Sequence, residues 1–540
     1  LKAEERKTMP QTELIKAMQD ARFYPQPEQS VDFIQTHISC LFLTSRDVYK
    51  LKKPVNLGFL DFSTLDKRLF YCQEEVRLNT RLAPTVYQGV LPVSQNNSGQ
   101  FFLGQQEDAR IVDYVVHMRR LSEDSMFPVL LRQGRVDEHL LQELADLLAD
   151  FHAQARAVPR ESELGSLSLI RRNIEENFEQ TEMLKNRAIS ARRHRVMRQV
   201  MLWSLNRQQD LYSLRHARGK TRECHGDLRM EHLCLFEGQL IAFDCIEFNE
   251  RFRFIDTAAD LSFLLMDMEF HGYWKQADTL LHTYVHSSGD HDLLLVVNMY
   301  KAYYALTRGK VFGIESTEQE FSPQERRQAL DMSSKFLDLA WSYAVKLQTP
   351  ALIILCGLMG TGKSEVARSL SRQLGAEVLR SDVVRKALHG LDPQQKQLND
   401  YGQGLYSGEA TQATYQALGE QAGELLKQGR SVILDASFGR REHRELACAL
   451  AKELNLRCIL LECVCPDDVL VQRLEKRLAT SADASDGRTS LLKSQKADFQ
   501  PVTELDPSQH VVLDTAHDLE QVEELAVEAV LEALRRQEYT

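Results

Sequence analysis

Several groupings of residues in this chain have the types and spacing that phosphoryl transfer needs. The stretch Gly357-Leu358-Met359-Gly360-Thr361-Gly362-Lys363-Ser364 reads G-x-x-x-x-G-K-S. In that pattern glycines let backbone N–H groups close on the phosphates of a nucleotide, the lysine neutralises charge, and the serine hydroxyl binds Mg²⁺. Gly357, Gly360, Thr361, Gly362, Lys363 and Ser364 are therefore expected to hold ATP, with Lys363 also acting on the transferred phosphoryl group. Asp382 and Arg385, one helical turn apart in Ser381-Asp382-Val383-Val384-Arg385, suit an acceptor. The carboxylate can take a hydroxyl proton and the arginine can grip an anion, although a helix-capping aspartate would look the same. Asp435 closes the apolar run Val432-Ile433-Leu434, where a carboxylate can hold Mg²⁺ through water. Arg473 and Arg477 precede the polar stretch Thr480-Ser481-Ala482-Asp483-Ala484-Ser485-Asp486-Gly487, so they stand either at the root of a closing lid or on a plain helix surface.

A second constellation lies upstream in Cys224-His225-Gly226-Asp227-Leu228-Arg229-Met230-Glu231-His232 and Leu240-Ile241-Ala242-Phe243-Asp244-Cys245-Ile246-Glu247. An aspartate in a short loop between apolar segments, followed 17 residues on by an aspartate at a strand end, is what kinase-fold transfer uses. Asp227 would accept the proton of the attacking hydroxyl and Asp244 would hold Mg²⁺. Lys50 and Lys52 share one face of a strand, as solvated edge residues or as partners of Glu75 on the next helix.

These residues need positioning elements, and the hydrophobic pattern supplies them. Residues 10–30 read as a capped helix ended by Pro25 and Pro27. His37–Thr44 and Val48–Lys53 form a hairpin around Ser45-Arg46-Asp47; a helix over Asp66–Leu82 follows, then strands at Val86–Val93, Phe101–Leu103 and Ile111–Met118. Met118 is a possible hinge against the nucleotide. The chain then turns helical, through Asp137–Ala155, Leu169 to about Leu214, and Pro323–Lys346, with the basic run Arg192-Arg193-His194-Arg195 read as a solvated face. Tyr304, Arg308 and Lys310 recur at helical spacing, on a packed helix with a wet cationic edge or in a substrate cleft. Beyond Gln348-Thr349-Pro350 strand and helix alternate, which argues a parallel sheet covered on both faces.

The H-G-D-L motif, the following D-x-x-E, and Asp256 and Asp260 resemble the aminoglycoside phosphotransferase and choline kinase group over roughly residues 30–345. That resemblance implies Asp227 as catalytic base and Asp244 as a metal ligand. It places His232 where the group usually has an asparagine as second metal ligand. From residue 350 on, the P-loop, S-D-x-x-R, D-A-S and R-x-x-x-R stretches resemble small P-loop kinases of hydroxyl groups: polynucleotide 5′-kinase, zeta toxin and gluconate kinase. The two-part order resembles a family of bacterial fusion proteins described as predicted kinases.

The expected fold is thus an α+β bilobal protein-kinase-like N-terminal domain followed by an α/β parallel-sheet P-loop NTPase domain. Residues 1–118 would form a small β-rich lobe, 119–346 a helical lobe, 347–350 a linker and 351–540 the P-loop kinase domain. Length and composition agree with two to four soluble domains: 540 residues, 43% hydrophobic, 26% charged. Ten scattered cysteines without a C-x-x-C pair suit buried thiols in a reducing compartment. The charged opening, with Met9 as a candidate natural start, has no signal-peptide core, and no membrane-length apolar run occurs, so a cytoplasmic location is expected. A formal net charge of −11 disfavours nucleic acid without excluding a local basic groove. The expected activity is transfer of the γ-phosphate of ATP, with Mg²⁺, to a small-molecule hydroxyl at two sites. The alternatives are an N-terminal half that only binds or regulates, and an ATP-driven switch.

Overall fold

The structure, a computed structural model, describes residues 11–26, 29–58, 60–392, 403–480 and 489–537. Met9 and residues 481–487 of the expected lid lie outside them. The chain divides into two compact units, one of residues up to Thr181 with Leu202–Ala340, the other of Glu182–Met201 with Trp341 onward.

The first unit opens with a short helix, Thr12–Met18, and a six-stranded antiparallel sheet. Its strands are β1 (Asp32–Gln35), β2 (Ser39–Leu43), β3 (Asp47–Lys52), β4 (Tyr87–Gln95), β5 (Phe101–Leu103) and β6 (Arg110–Arg119), in the order β1-β2-β3-β6-β4-β5. The helical reading of residues 10–30 shrinks to the Thr12–Met18 helix and the single turn Ala21–Phe23, and β1 is an addition to the expected strands. Alternation along the strands separates two apolar layers. Tyr49, Leu51 and Val115 face one side, together with Leu14 and Met18. Val116 faces the other, together with Cys72 of the helix Leu65–Asn79, which packs across β4 and β6. Thr64 starts that helix by accepting a hydrogen bond from the Lys67 amide.

Period two also aims Lys50 and Lys52 away from Tyr49 and Leu51, toward that helix. The edge reading of these lysines is therefore corrected: β3 lies inside the sheet, between β2 and β6, and Lys52 is fully buried.

The rest of the unit is mainly helical, including Glu138–Gln154, Thr257–Phe270, Leu293–Glu315 and Pro323–Ala344. Between these helices lie the pairs β7 (Thr221–Glu223) with β10 (Phe254–Asp256) and β8 (Leu233–Phe236) with β9 (Gln239–Ala242). Glu237 and Gly238, both at positive φ, make the tight β8–β9 turn. The helical stretch expected from Leu169 to Leu214 is broken into Leu167–Gln180, Ala191–Arg207 and Gln209–Ala217.

The second unit is a P-loop NTPase-like α/β domain. Its five strands, β11 (Ala351–Cys356), β12 (Glu377–Arg380), β13 (Val432–Asp435), β14 (Arg457–Val464) and β15 (His510–Asp514), are all parallel, in the order β12-β13-β11-β14-β15. All six residues of β11 are buried, as a central strand covered on both faces requires.

The basic run 192–195 is corrected by this unit. Arg193 Nε and Ser190 Oγ reach Glu524 at 3.1 and 2.8 Å, and Arg195 Nη2 reaches Glu528 at 2.7 Å, both glutamates on the helix Leu519–Arg536. His194 is buried, and Leu184, Val196, Met197 and Val200 of the same segment are buried with it. Among the described residues no helix is long and apolar enough to cross a membrane.

Candidate functional site

In the second unit the loop between β11 and the helix Lys363–Leu374 is shaped by glycines. Gly357 has φ +136°, and a Cβ there would sit 2.4 Å from the Cys463 carbonyl oxygen of β14. Gly362, at φ +84°, is the N-cap of the helix. The loop thus leaves the central strand with its amides gathered at a helix N-terminus, an arrangement that attracts anions. Lys363 Nζ donates to the carbonyls of Gly357 at 3.0 Å and Leu358 at 2.7 Å, and burial pulls its pKa below the usual lysine value. Thr361 is buried and bonds back to Leu358 O through its hydroxyl, which fixes the turn.

Ser364 Oγ donates to Asp435 Oδ2 at 2.7 Å, so the serine and the last residue of β13 meet as expected. A hydroxyl beside a carboxylate is a pair of hard oxygen donors, the chemistry that Mg²⁺ takes. Asp382 lies at the second position of the helix Ser381–Leu388, whose N-cap is Arg380, so the capping alternative for Asp382 does not hold. Arg385 is buried; its Nη1 donates to Leu405 O at 2.9 Å and Thr411 Oγ1 at 3.2 Å, and its guanidinium lies 4.7 Å over the Tyr406 ring. Lys363, Ser364, Asp382, Arg385 and Asp435 share one cavity of about 900 Å³.

Arg473 does not line that cavity. Its Nη2 donates to Thr515 O at 2.6 Å, and Nη1 lies beside Gly362. Arg477 lies on the helix Asp467–Thr480, its side chain outside the described residues. Sequence reasoning missed Gln495, on the helix Thr489–Asp498, whose Oε1 accepts from the Met359 amide of the loop at 2.8 Å. It stands 136 positions from its partner, beyond any local pattern.

The first unit collects the other constellation. Lys52 Nζ lies 2.6 Å from Glu75 Oε2 and also pairs with Glu247, while Lys50 Nζ lies 2.8 Å from Glu75 Oε1 and 2.6 Å from Asp244 Oδ1. Burial disfavours the charge on each lysine, yet the carboxylates around them prevail and raise both pKa values. Asp244, although partial burial alone would raise its pKa, is held well below the carboxylate range by Lys50 and His232. It adopts φ +65°, a conformation uncommon for aspartate and frequent at functional positions. Met118, the last residue but one of β6, pairs with Val48 and Tyr87 inside the sheet.

Asp227 sits in a loop anchored from below. The Asp260 carboxylate accepts from the amides of His225 at 3.0 Å and Gly226 at 2.8 Å, and pairs with His152 Nε2 at 3.1 Å. Asp260 lies within metal-ligand spacing of His152 and Cys224, but those hydrogen bonds already engage it. Gly226, at φ +86°, admits no side chain, since a Cβ would meet Phe252 O at 2.8 Å. The loop carries a clamp that the sequence did not announce: Arg229 Nε and Nη2 donate to the two Asp227 oxygens at 2.8 and 2.9 Å. Partial burial alone would raise the Asp227 pKa, but the charges of Arg229 and His232 hold it at about 2.

His232 Nδ1 lies 2.7 Å from the Asp227 carbonyl oxygen, so this nitrogen carries the proton. Its Nε2 faces Asp244 Oδ2 at 3.8 Å. An imidazole nitrogen and a lysine-paired carboxylate are a poorer Mg²⁺ donor set than the Ser364–Asp435 pair.

Residues 352–502 match the family described as "AAA domain". Uncharacterized proteins of Mycobacterium tuberculosis and Mycobacterium bovis are 29% identical to the chain over 475 residues, covering 87% of it and 91% of each of them. Among solved structures, a gluconokinase from Sinorhizobium meliloti is 21% identical, covering 35% of this chain and 99% of that one, with a TM-score of 0.26. The APS kinase CysC of Mycobacterium tuberculosis, solved with AMPPNP and APS, is 19% identical, covering 34% and 98%, with a TM-score of 0.25.

Proposed function

We propose that the protein is a Mg²⁺-dependent ATP phosphotransferase whose second unit moves the γ-phosphate of ATP to the hydroxyl of a small molecule. The observation that carries this reading is that one cavity gathers Lys363, Ser364 with Asp435, and the pair Asp382 and Arg385. Lys363 and the loop amides bind and orient the phosphates, and Ser364 and Asp435 are the residues that would hold Mg²⁺, which neutralises phosphate charge when bound. Asp382 accepts the hydroxyl proton, and Arg385 orients the acceptor. Arg473, fixed beside Gly362, adds positive charge at the edge of the loop.

The first unit is read as a second, kinase-like transferase, with Lys50 and Lys52 anchored by Glu75 and with Asp227 as proton acceptor. A specific observation favours a different reading of it, as a substrate-binding or regulatory module: Arg229 occupies both oxygens of Asp227, and His232 offers nitrogen beside Asp244. The buried thiols, all free, suit a cytoplasmic setting.

Four full-length proteins separate these readings: the parent, Lys363→Ala, Asp227→Asn and the double variant. Lys363→Ala is expected to lower ATP consumption by roughly 10²-fold or more at the P-loop. ATP turnover that survives Lys363→Ala and vanishes in the double variant marks a second catalytic site; no loss in Asp227→Asn alone leaves the binding module. Asp382→Ala should abolish transfer to an acceptor. Acceptor-free hydrolysis that is indifferent to Asp382→Ala would instead make the P-loop unit an ATP-driven switch.

A further inference from the structure

Four buried or half-buried arginines of the first unit are paired with acids. Arg215 holds Asp256 and Asp290, Arg68 holds Asp113, Arg253 holds Glu223, and Arg229 holds Asp227. That is the ordinary rule, since a guanidinium withdrawn from water without a counter-charge is costly. Arg308, on the helix Leu293–Glu315, departs from it. Its Nε is buried without a hydrogen-bond partner, and among the described residues it makes no ion pair. Its guanidinium lies beside two aromatic rings instead, 4.9 Å from the centre of Phe312 and 5.7 Å from that of Phe336, which stack on each other at 5.6 Å.

Arg308 lies within the electrostatic reach of the Asp227 loop. Burial lowers its pKa, the Arg229 charge lowers it further, and Asp227, Glu231 and Asp267 act in the opposite direction. The two arginines are joined through an aromatic stack: Arg229 lies 6.0 Å over Phe263, Phe263 stacks on Tyr304 at 4.2 Å, and Tyr304 is one helical turn before Arg308. Two guanidiniums within each other's field, one of them without an acid, are a receptor for an oxyanion with two acceptor edges. The sequence reading placed Tyr304, Arg308 and Lys310 on a packed helix with a wet cationic edge or in a substrate cleft. Of the three, Tyr304 is buried and Lys310 is bonded to Asn177 at 2.7 Å, which leaves Arg308 as the cation without a partner.

We infer that Arg308, together with Arg229, forms an anion-binding subsite beside Asp227, and that the hydroxyl compound received there carries a carboxylate or a phosphate. The second half of this statement rests on the reading of Asp227 as a proton acceptor; the first half does not. An oxyanion that draws Arg229 toward itself leaves the Asp227 oxygens open to the hydroxyl, so the clamp becomes a gate released by the acidic substrate.

The test is calorimetric titration of full-length Lys363→Ala protein, in which the P-loop lysine is removed, with inorganic phosphate and separately with acetate. At least one of the two should bind, and the one that binds identifies the oxyanion. Arg308→Met, which keeps an apolar stem beside Phe312 and Phe336, should weaken that binding at least tenfold while melting no lower than its parent in anion-free buffer. The inference is overturned if neither anion binds the parent, or if Arg308→Met binds as the parent does. A fall in melting temperature of more than about 2 °C overturns it as well, because the guanidinium would then be structural. Binding that depends on Arg308, in a protein whose Asp227→Asn variant loses no turnover, keeps the subsite and removes the acceptor reading.

Discussion

His225 shows how far a single side chain can be fixed by its surroundings. Its Nε2 lies 2.9 Å from the Phe243 carbonyl oxygen and its Nδ1 accepts from the Asp227 amide at 3.3 Å, so the ring is held as the neutral Nε2–H tautomer. The ring is fully buried, and burial lowers its pKa from 6.5 to about 4. Between those values the unfolded chain binds the proton more readily than the folded one. The stability contributed by neutral His225 is therefore complete above pH 6.5 and lost as pH falls through about 4. A shift of this size corresponds to roughly 3 kcal/mol. Urea midpoints at pH 7.5 and 4.5 should fall less steeply in His225→Gln than in the parent; equal slopes would reject the assignment. At this scale the sequence was informative where motif spacing brings residues together, as for Ser364 with Asp435 and Lys50 with Glu75. It was silent on Arg229 and Gln495, whose partners depend on side-chain rotation and on chain segments brought together only by the fold.

The same division holds for the elements. The β2–β3 hairpin and the parallel strands were readable because buried runs bounded by turn residues leave few alternatives. β1 was not, because Asp32-Phe33-Ile34-Gln35 is short and mostly exposed. Nor was the environment of β3, where alternation says which residues share a face but not what covers it. The helix Leu65–Asn79 covers it, and Lys52 is fully buried between Glu75 and Glu247. Removing the cation strands the buried Glu247, while Glu75 keeps Lys50 at 2.8 Å, so Lys52→Met should cost about 3–5 kcal/mol, measured by chemical denaturation. Replacing the lysine together with both glutamates by apolar residues should restore much of that loss. An unchanged stability for Lys52→Met would mean that water reaches the cluster.

On the scale of the whole chain, the stretch 348–350 is a poor guide to where the P-loop unit begins. Glu182–Met201 belongs to that unit, and Trp341 Nε1 donates to Gln373 Oε1 at 2.8 Å within it. A fragment of residues 351–540 lacks both contributions and leaves Glu524 and Glu528 without their arginines. It should unfold at a lower temperature than the ATP-responsive transition of the full chain. Equal melting temperatures would show that Glu182–Met201 adds nothing to the unit. No composition shift or linker motif marks the segment, because its apolar face looks like that of any other amphipathic helix.

Glu182–Met201 also has a history during synthesis. Ser190 waits for Glu524, and Arg195 for Glu528, separations of 334 and 333 residues. At 5–20 residues per second that delay is on the order of tens of seconds. Throughout it Ser190, Arg193 and Arg195 have been translated while the helix Leu519–Arg536 is still untranslated. For most of the chain's translation the segment therefore carries arginines whose acids do not yet exist, and a nascent chain that stops before Leu519 never pairs them.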